Sequence, residues 1–122
     1  MIKTEPIIAV AKVSESSRFY QRLLSCKSAH GGETFEILTS EGQVVLCLHK
    51  WGEHAHPSMI KPTKDKGNGL ILFFRVDDLN TVFANAEALE ARIEKGLHYN
   101  ENSRKNQFIL RDPDGYYLII SK

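Results

Sequence analysis

The stretch from Gln107 to Ser121 reads QFILRDPDGYYLIIS, and it decides the fold. Two runs of β-branched and aromatic residues flank the segment RDPDG, which predicts two strands joined by a tight turn. In that turn Pro113 fixes φ, Asp112 can bond back to the backbone, and Gly115 can take a positive φ. The second arm hardly alternates between apolar and polar residues, so we expect its strand to be covered on both faces.

Composition restricts the class of protein before any motif is considered. A chain of 122 residues with 25% charged residues and a net charge of +1 is typical of one globular domain. The near-neutral charge gives no sign of a nucleic-acid-binding surface. No apolar run approaches the roughly 20 residues of a membrane span, and the N-terminus lacks the pattern of a secretory signal. Cys26 and Cys47 lack metal-type spacing, so we expect free thiols in the cytoplasm.

The first half of the chain predicts a strand, a helix and then two more strands. Residues 5–11 read as a short apolar strand, and Ser14 is placed to cap a helix over residues 15–24. Residues 29–32 predict a break. Residues 34–39 and 43–50 predict a hairpin, since a tight turn ending in glycine joins two strand-like runs.

The second half repeats this order after an irregular segment over residues 51–68. Residues 69–76 predict a strand, and Asp77 or Asp78 can cap the helix that follows. Apolar residues recur at spacings of three and four from Leu79 to Ile93, which predicts a helix of several turns with Gly96 as its C-cap. The hairpin near the C-terminus completes the pattern.

Each half therefore reads strand, helix and then two or three strands, and this repeat of pattern predicts an α+β fold built from two βαβββ modules. We expect a single domain over residues 1–122, with module one at about 1–50, a loop at 51–68 and module two at 69–122. The predicted modules form curved mixed sheets around a shared cleft, with the helices outside.

Three signatures in this order resemble the vicinal-oxygen-chelate superfamily, which includes glyoxalases, bleomycin-resistance proteins and extradiol dioxygenases. They are the helix motif SxxFYxxLL at 16–24, the strand exit FxVDDL at 74–79 and the turn RDPDG at 111–115. The resemblance covers nearly the whole chain and implies the paired βαβββ fold. It also implies a homodimer and, in the superfamily's enzymes, one divalent metal held by His, Glu or Gln.

The resemblance places the four metal-ligand positions on Glu5, Leu46, Ile71 and Ile119. Three of these side chains are hydrocarbon and offer no lone pair to a metal. The resemblance to the superfamily's metal-free binders is therefore closer, and we expect no metal and no cofactor.

Alternation along the strands, counted from those four positions, predicts the residues that face the cleft. The lining would be apolar with a few polar groups, which is the usual composition of a small-molecule pocket. The predicted ligand-binding residues, with Trp51 added as a pocket wall or dimer contact, are Ile7, Leu46, Leu48, Lys50, Trp51, Ile71, Phe73, Arg75, Tyr117 and Ile119. The alternative is that these side chains fill the cleft as a second core. Arg75 fits either a ligand carboxylate or an ion pair with Glu5 or Asp77.

One cluster of histidines stands beside Trp51. His49, His54 and His56 include an HxH spacing that can bind a metal, with Glu53 nearby. Since ligand sites favour rigid elements and this segment is rich in Gly and Pro, we expect solvent-exposed histidines here.

The leading functional hypothesis is metal-free binding of a small, partly apolar organic molecule by a cytoplasmic homodimer. Bleomycin itself fits poorly, because it is a cation and the chain is nearly neutral. Whether the protein is an enzyme stays open. The enzymatic alternatives are a lyase or isomerase that uses Glu5 as its base, and a lyase, isomerase or dioxygenase with a metal at other positions. A third alternative is a purely structural dimer.

Overall fold

The chain divides into two compact units, Met1–Lys64 and Asp65–Lys122, and the computed structural model describes residues 1–61, 67 and 70–122. Within these residues each unit holds one α-helix and one open four-stranded mixed sheet, so the predicted α+β class with two βαβββ modules is confirmed. The elements are β1 (Ile7–Val10), α1 (Val13–Leu24), β2 (Lys27–His30), β3 (Phe35–Ser40), β4 (Gln43–Lys50), a 3₁₀ turn (Pro57–Met59), β5 (Ile71–Arg75), α2 (Leu79–Ala88), β6 (Arg92–Asn100), β7 (Lys105–Arg111) and β8 (Tyr117–Ser121).

The two sheets have the same strand order. The first runs β1-β4-β3-β2 and the second β5-β8-β7-β6. In each, the first strand of the module pairs in parallel with its last strand, and the other pairs are antiparallel. The prediction of a shared cleft between the modules and that of a single domain stay predictions. In the part of the chain that the structure describes, no helix is both long and apolar enough to span a membrane.

One face of the first sheet forms the core of its unit. Leu38, Leu46 and Leu48 point to this face and are fully buried, as are the α1 side chains Tyr20 and Leu23. Because α1 contacts both β3 and β4, the helix covers this face and removes its apolar side chains from water. The opposite face carries Ile7, Ala9, Cys47 and His49, of which only Ile7 is exposed.

The strand register corrects the predicted face of β4. Ile7 pairs with Cys47 and Val10 with Lys50, so Leu46, Leu48 and Lys50 lie on the helix side of the sheet. The prediction that these three residues share a face with Ile7 is wrong. Strand β4 is apolar on both faces, so its sequence does not reveal which residues point which way.

Two other predictions in the first half are wrong. Helix α1 begins at Val13 with Lys12 as its N-cap residue, which makes no side-chain capping bond, so Ser14 is inside the helix. Residues 27–30 form β2 because they pair with β3 at the sheet edge, so the break predicted at 29–32 is wrong for residues 29 and 30 and holds for Gly31 and Gly32. The predicted end near Ser25 is confirmed, and Ser25 takes the left-handed conformation that stops the helix.

Helix α2 starts where the sequence predicts, but it ends earlier than predicted. Asp78 caps the helix, as one of the two predicted candidates, by accepting a bond from Thr81 N at 3.1 Å. Hydrogen bonds from Thr81 lower the pKa of the Asp78 carboxyl below its ordinary value. The helix ends at Ala88, however, and Gly96 is inside β6. Pairing of β6 with β7 outweighs the helical spacing of the apolar residues there.

The RDPDG turn at residues 111–115 forms as predicted. The Asp112 carboxylate accepts bonds from the backbone N–H groups of Asp114 and Tyr116, each at 2.9 Å. Gly115 has a φ of 92° and donates its N–H to the Asp112 carbonyl, which closes the hairpin between β7 and β8.

The second sheet also has one covered and one open face. Leu72, Leu118 and Ile120 are buried on the covered face, where Phe83 of α2 meets Phe108 of β7 edge-on at 5.0 Å. The open face carries the residues that strand alternation grouped together, since the register pairs these two by two; they are Ile71 with Tyr117, Phe73 with Ile119, and Arg75 with Ser121. Their role in ligand binding stays a prediction.

Candidate functional site

The open face of the first sheet carries a groove of about 800 Å³. The register brings Ala9, Phe35 and His49 side by side across three strands. Ile7 lies two residues before Ala9 on the same face and pairs with Cys47. The segment after β4 folds over this face and supplies the remaining wall. The groove is lined by Ile7, His30, Thr34, Phe35, His49, His54, His56, Ser58 and Met59.

His49 is the buried polar residue of this groove. Its side chain is 3% exposed, and its Nδ1 lies 2.7 Å from the Lys50 carbonyl oxygen. A carbonyl oxygen only accepts, so we assign the proton of the neutral imidazole to Nδ1. This tautomer leaves a lone pair on Nε2, and Nε2 is buried without a hydrogen-bond partner among the described residues.

Aromatic rings surround His49 on several sides. The rings of His54 and His56 meet it edge-on, with centroids 5.1 and 5.4 Å away, and the Phe35 ring does so at 6.2 Å. His54 and His56 are themselves exposed, and His54 Nε2 lies 3.4 Å from the Thr34 hydroxyl. Two exposed imidazoles therefore cover a buried third one.

The sequence prediction is right for two of these three histidines. His54 and His56 are exposed, as predicted, but His49 belongs to β4 and is buried, so the expectation of solvent exposure is wrong for it. Counting from Leu46 put His49 on the wrong face. The parallel pairing of β1 with β4, which places Ala9 opposite His49, is the information that the sequence lacked.

Of the predicted site residues, Ile7 lines the groove. Glu5, the candidate base, is exposed in the segment before β1 and lines a smaller pocket of about 270 Å³. Trp51 is half-buried at the end of β4, where its backbone N–H donates to the Val10 carbonyl. The sequence analysis did not identify five of the lining residues, which are His30, Thr34, Phe35, Ser58 and Met59.

A second concave site lies in the second unit. It has a volume of about 380 Å³ and lies between the start of α2 and β6, with Asp77, His98 and Tyr99 among its lining residues. His98 Nδ1 lies 2.8 Å from the Gly96 carbonyl, and its Nε2 lies 3.1 Å from the Gln107 side-chain amide. Both ring nitrogens of His98 are thus satisfied within the protein.

The sequence of the whole chain identifies its family. Residues 4–120 match the family model of the Glyoxalase/Bleomycin resistance protein/Dioxygenase superfamily. The chain belongs to this superfamily. The curated proteins compared with it include no match.

Several solved structures share the fold of this chain. A glyoxalase/bleomycin resistance protein/dioxygenase family enzyme from Burkholderia phytofirmans PsJN is 17% identical, with a TM-score of 0.79 over 96% of this chain and 94% of that one. A lactoylglutathione lyase from Agrobacterium tumefaciens is 18% identical, with a TM-score of 0.72 over 98% and 92%. TioX from a Micromonospora species is 15% identical, with a TM-score of 0.76 over 100% and 98%. Identities this low show the fold alone.

The metal of the superfamily's enzymes does not fit the residues that this chain places at the implied positions. Leu46 points to the helix side of its sheet, so the position that the resemblance implies on β4 is misplaced; Cys47 and His49 are the β4 residues on the open face. Ile71 and Ile119 have no donor atom. Within residues 1–61, 67 and 70–122, no group of three or more His, Cys, Asp or Glu side chains is arranged to hold a metal ion.

Proposed function

We propose that this superfamily member binds a small, partly apolar organic molecule without a metal, in the groove on the open face of the first sheet. The observation that supports this most directly is the groove itself, in which apolar side chains stand beside a buried imidazole with a free lone pair. The family alone does not decide the function, because this fold hosts both enzymes and binders.

The size and lining of the groove support a small-molecule ligand. A volume of about 800 Å³ is within the range of ligand pockets, which combine apolar walls with a few polar groups. Ile7, Phe35 and Met59 supply apolar area, and the imidazoles and the Thr34 hydroxyl supply directional contacts.

The metal-free part of the proposal is supported by the chemistry of the donor set. The implied ligand positions Ile71 and Ile119, on the open face of the second sheet, have no donor atom, and the described His, Cys, Asp and Glu residues do not converge in threes. Binding would therefore depend on burial of apolar surface and on hydrogen bonds.

A binding screen with one groove variant tests the proposal. Thermal-shift and calorimetric titrations with aromatic and amphipathic compounds are expected to find ligands for the wild-type protein. Ile7 is exposed in the groove, so Ile7→Glu places a charge against the ligand without disturbing the core. The affinity for the best compound is expected to fall by about tenfold or more, since an uncompensated charge near an apolar ligand is costly.

Leu97→Glu is the matched control, because Leu97 is also an exposed apolar residue on a strand but belongs to the second unit. It is expected to leave the affinity unchanged. Equal affinities of wild type and Ile7→Glu would contradict binding in this groove. Metal analysis of protein purified without a His tag is the second measurement, and a tightly held stoichiometric Fe, Ni or Zn ion would contradict the metal-free proposal.

We also propose that the protein acts in the cytoplasm as a homodimer. Two cysteines that are buried and free support a reducing compartment. The exposed apolar side chains Ile71 and Phe73 on the open face of the second sheet support a second copy of the chain as a partner.

A further inference from the structure

His49 and His98 both have Nδ1 within hydrogen-bond distance of a backbone carbonyl, but they differ in whether Nε2 has a partner. In both His49 and His98, Nδ1 lies within 2.8 Å of a backbone carbonyl, so Nε2 carries the lone pair. The Gln107 amide reaches Nε2 of His98 at 3.1 Å. Nε2 of His49 has no such partner among the described residues, although His49 is the more deeply buried of the two.

An unpartnered acceptor at this depth needs an explanation, because burial removes the hydrogen bond that water would give it. His49 lines the groove, so a bound molecule is a candidate for the missing donor. A lone pair on imidazole can accept a proton donor or bind a metal. Since no described group of three potential ligands is arranged for a metal, we favour the proton donor.

The lining restricts the kind of donor. None of the described side chains that line this groove carries a carboxylate, so a cationic ammonium group would lose water without gaining an opposite charge. A neutral hydroxyl has no such cost. Phe35 and the histidine rings offer faces and edges against which an aromatic ring packs favourably.

We propose that the ligand is a hydroxylated aromatic molecule and that its phenol-type O–H donates a hydrogen bond to His49 Nε2. This inference rests on the proposed function, because it names the ligand class of the same groove. The aromatic ring of the ligand packs against Phe35, Ile7 and Met59. The Lys50 carbonyl holds the tautomer that presents the lone pair.

Access to His49 depends on the two rings above it. His54 and His56 pack edge-on against His49, and both belong to the exposed segment after β4. Rotation of an exposed side chain is fast and needs no change in the sheet. The ligand therefore replaces one of these ring contacts when it enters.

Calorimetric titration with a naphthol and with its methyl ether tests the inference. The two compounds have nearly the same apolar surface, and only the naphthol has a donor. We expect wild-type protein to bind the naphthol about tenfold or more tightly than the ether, as one buried hydrogen bond predicts. His49→Phe keeps an aromatic ring and removes the lone pair, so this variant is expected to bind both compounds equally.

His98→Phe is the matched control, because His98 shares the Nδ1 bond but has a satisfied Nε2. It is expected to keep the wild-type preference for the naphthol. A further readout is nitrogen NMR of the wild-type imidazoles, in which naphthol is expected to shift His49 Nε2 and leave His98 unchanged. This measurement remains decisive if His49→Phe fails to fold.

The outcomes separate the two proposals. If wild-type protein binds naphthol and ether equally, the hydrogen bond to His49 is wrong and the binding proposal stands. If neither these compounds nor any other in the screen bind, the proposed function itself fails. Tight Zn²⁺ binding by the wild type that is lost in His49→Phe would overturn the inference by showing that the lone pair serves a metal.

Discussion

Cys47 and His49 are two residues apart on β4, and both point to the open face of the first sheet. Burial raises the pKa of the Cys47 thiol, and the negative charge of Glu5 raises it further. Burial also raises the pKa of Cys26, whose thiol donates to the Tyr20 carbonyl at 3.5 Å. Both thiols are therefore weak nucleophiles at neutral pH.

The charge of Glu5 gives a prediction at this scale. Glu5→Gln removes a negative charge that disfavours the Cys47 thiolate, so the pKa of Cys47 is expected to fall. More thiolate then exists at any mildly alkaline pH, and alkylation of Cys47 is expected to accelerate. Mass spectrometry of iodoacetamide labelling across a pH series measures both cysteines at once. Cys26 is the internal control, and an unchanged rate at Cys47 would contradict the electrostatic effect.

The sequence identifies residue types well and their orientations poorly. The cluster of three histidines in the sequence draws attention to His49, but the burial of His49 depends on which face of β4 it occupies. That face is set by hydrogen bonds to β1, some 40 residues earlier in the chain. The sequence of a strand that is apolar on both faces does not contain this information.

At the scale of elements, the order of most strands and helices and the 111–115 turn were predictable because they depend on local signals, whereas the edge strand β2 was missed. Turn chemistry, apolar runs and helical spacing each act over a few residues. The end of α2 was not predictable in this way. Apolar residues continue at helical spacing beyond Ala88, but residues 92–100 pair with β7 and become a strand.

The corrected face of β4 gives a prediction for stability. Leu46 is fully buried on the helix side, so Leu46→Ala is expected to cost about 2–5 kcal/mol of unfolding free energy. Leu97 on β6 is 44% exposed, and Leu97→Ala is expected to change stability by less than about 0.5 kcal/mol. Chemical denaturation of the two variants measures the difference. Similar values for both would contradict the assigned face of Leu46.

At the scale of the whole molecule, the repeat of pattern over about 60 residues was sufficient to predict two modules with the same order of elements. The ligand, by contrast, depends on a few side chains in one groove. This is why the family could be predicted from the sequence while the groove had to be found in the structure.

The proposed homodimer is tested at this scale. Phe73 is 47% exposed on the open face of the second sheet, so Phe73→Glu is expected to leave the fold intact and weaken self-association. Sedimentation velocity at micromolar concentration is expected to show a dimer for wild type and mainly monomer for this variant. Ile2→Glu is the control, because Ile2 is exposed outside both sheets. A monomeric wild-type protein would rule out the proposal.

The pairing of β1 with β4 and of β5 with β8 has a consequence for the order in which a gene encodes the two halves of the chain. Every described strand ladder closes within residues 7–50 or within residues 71–121. A circular permutant that translates the second half before the first would keep all of these ladders. The linear order of the halves is therefore free to change during evolution while each sheet keeps its own hydrogen bonds.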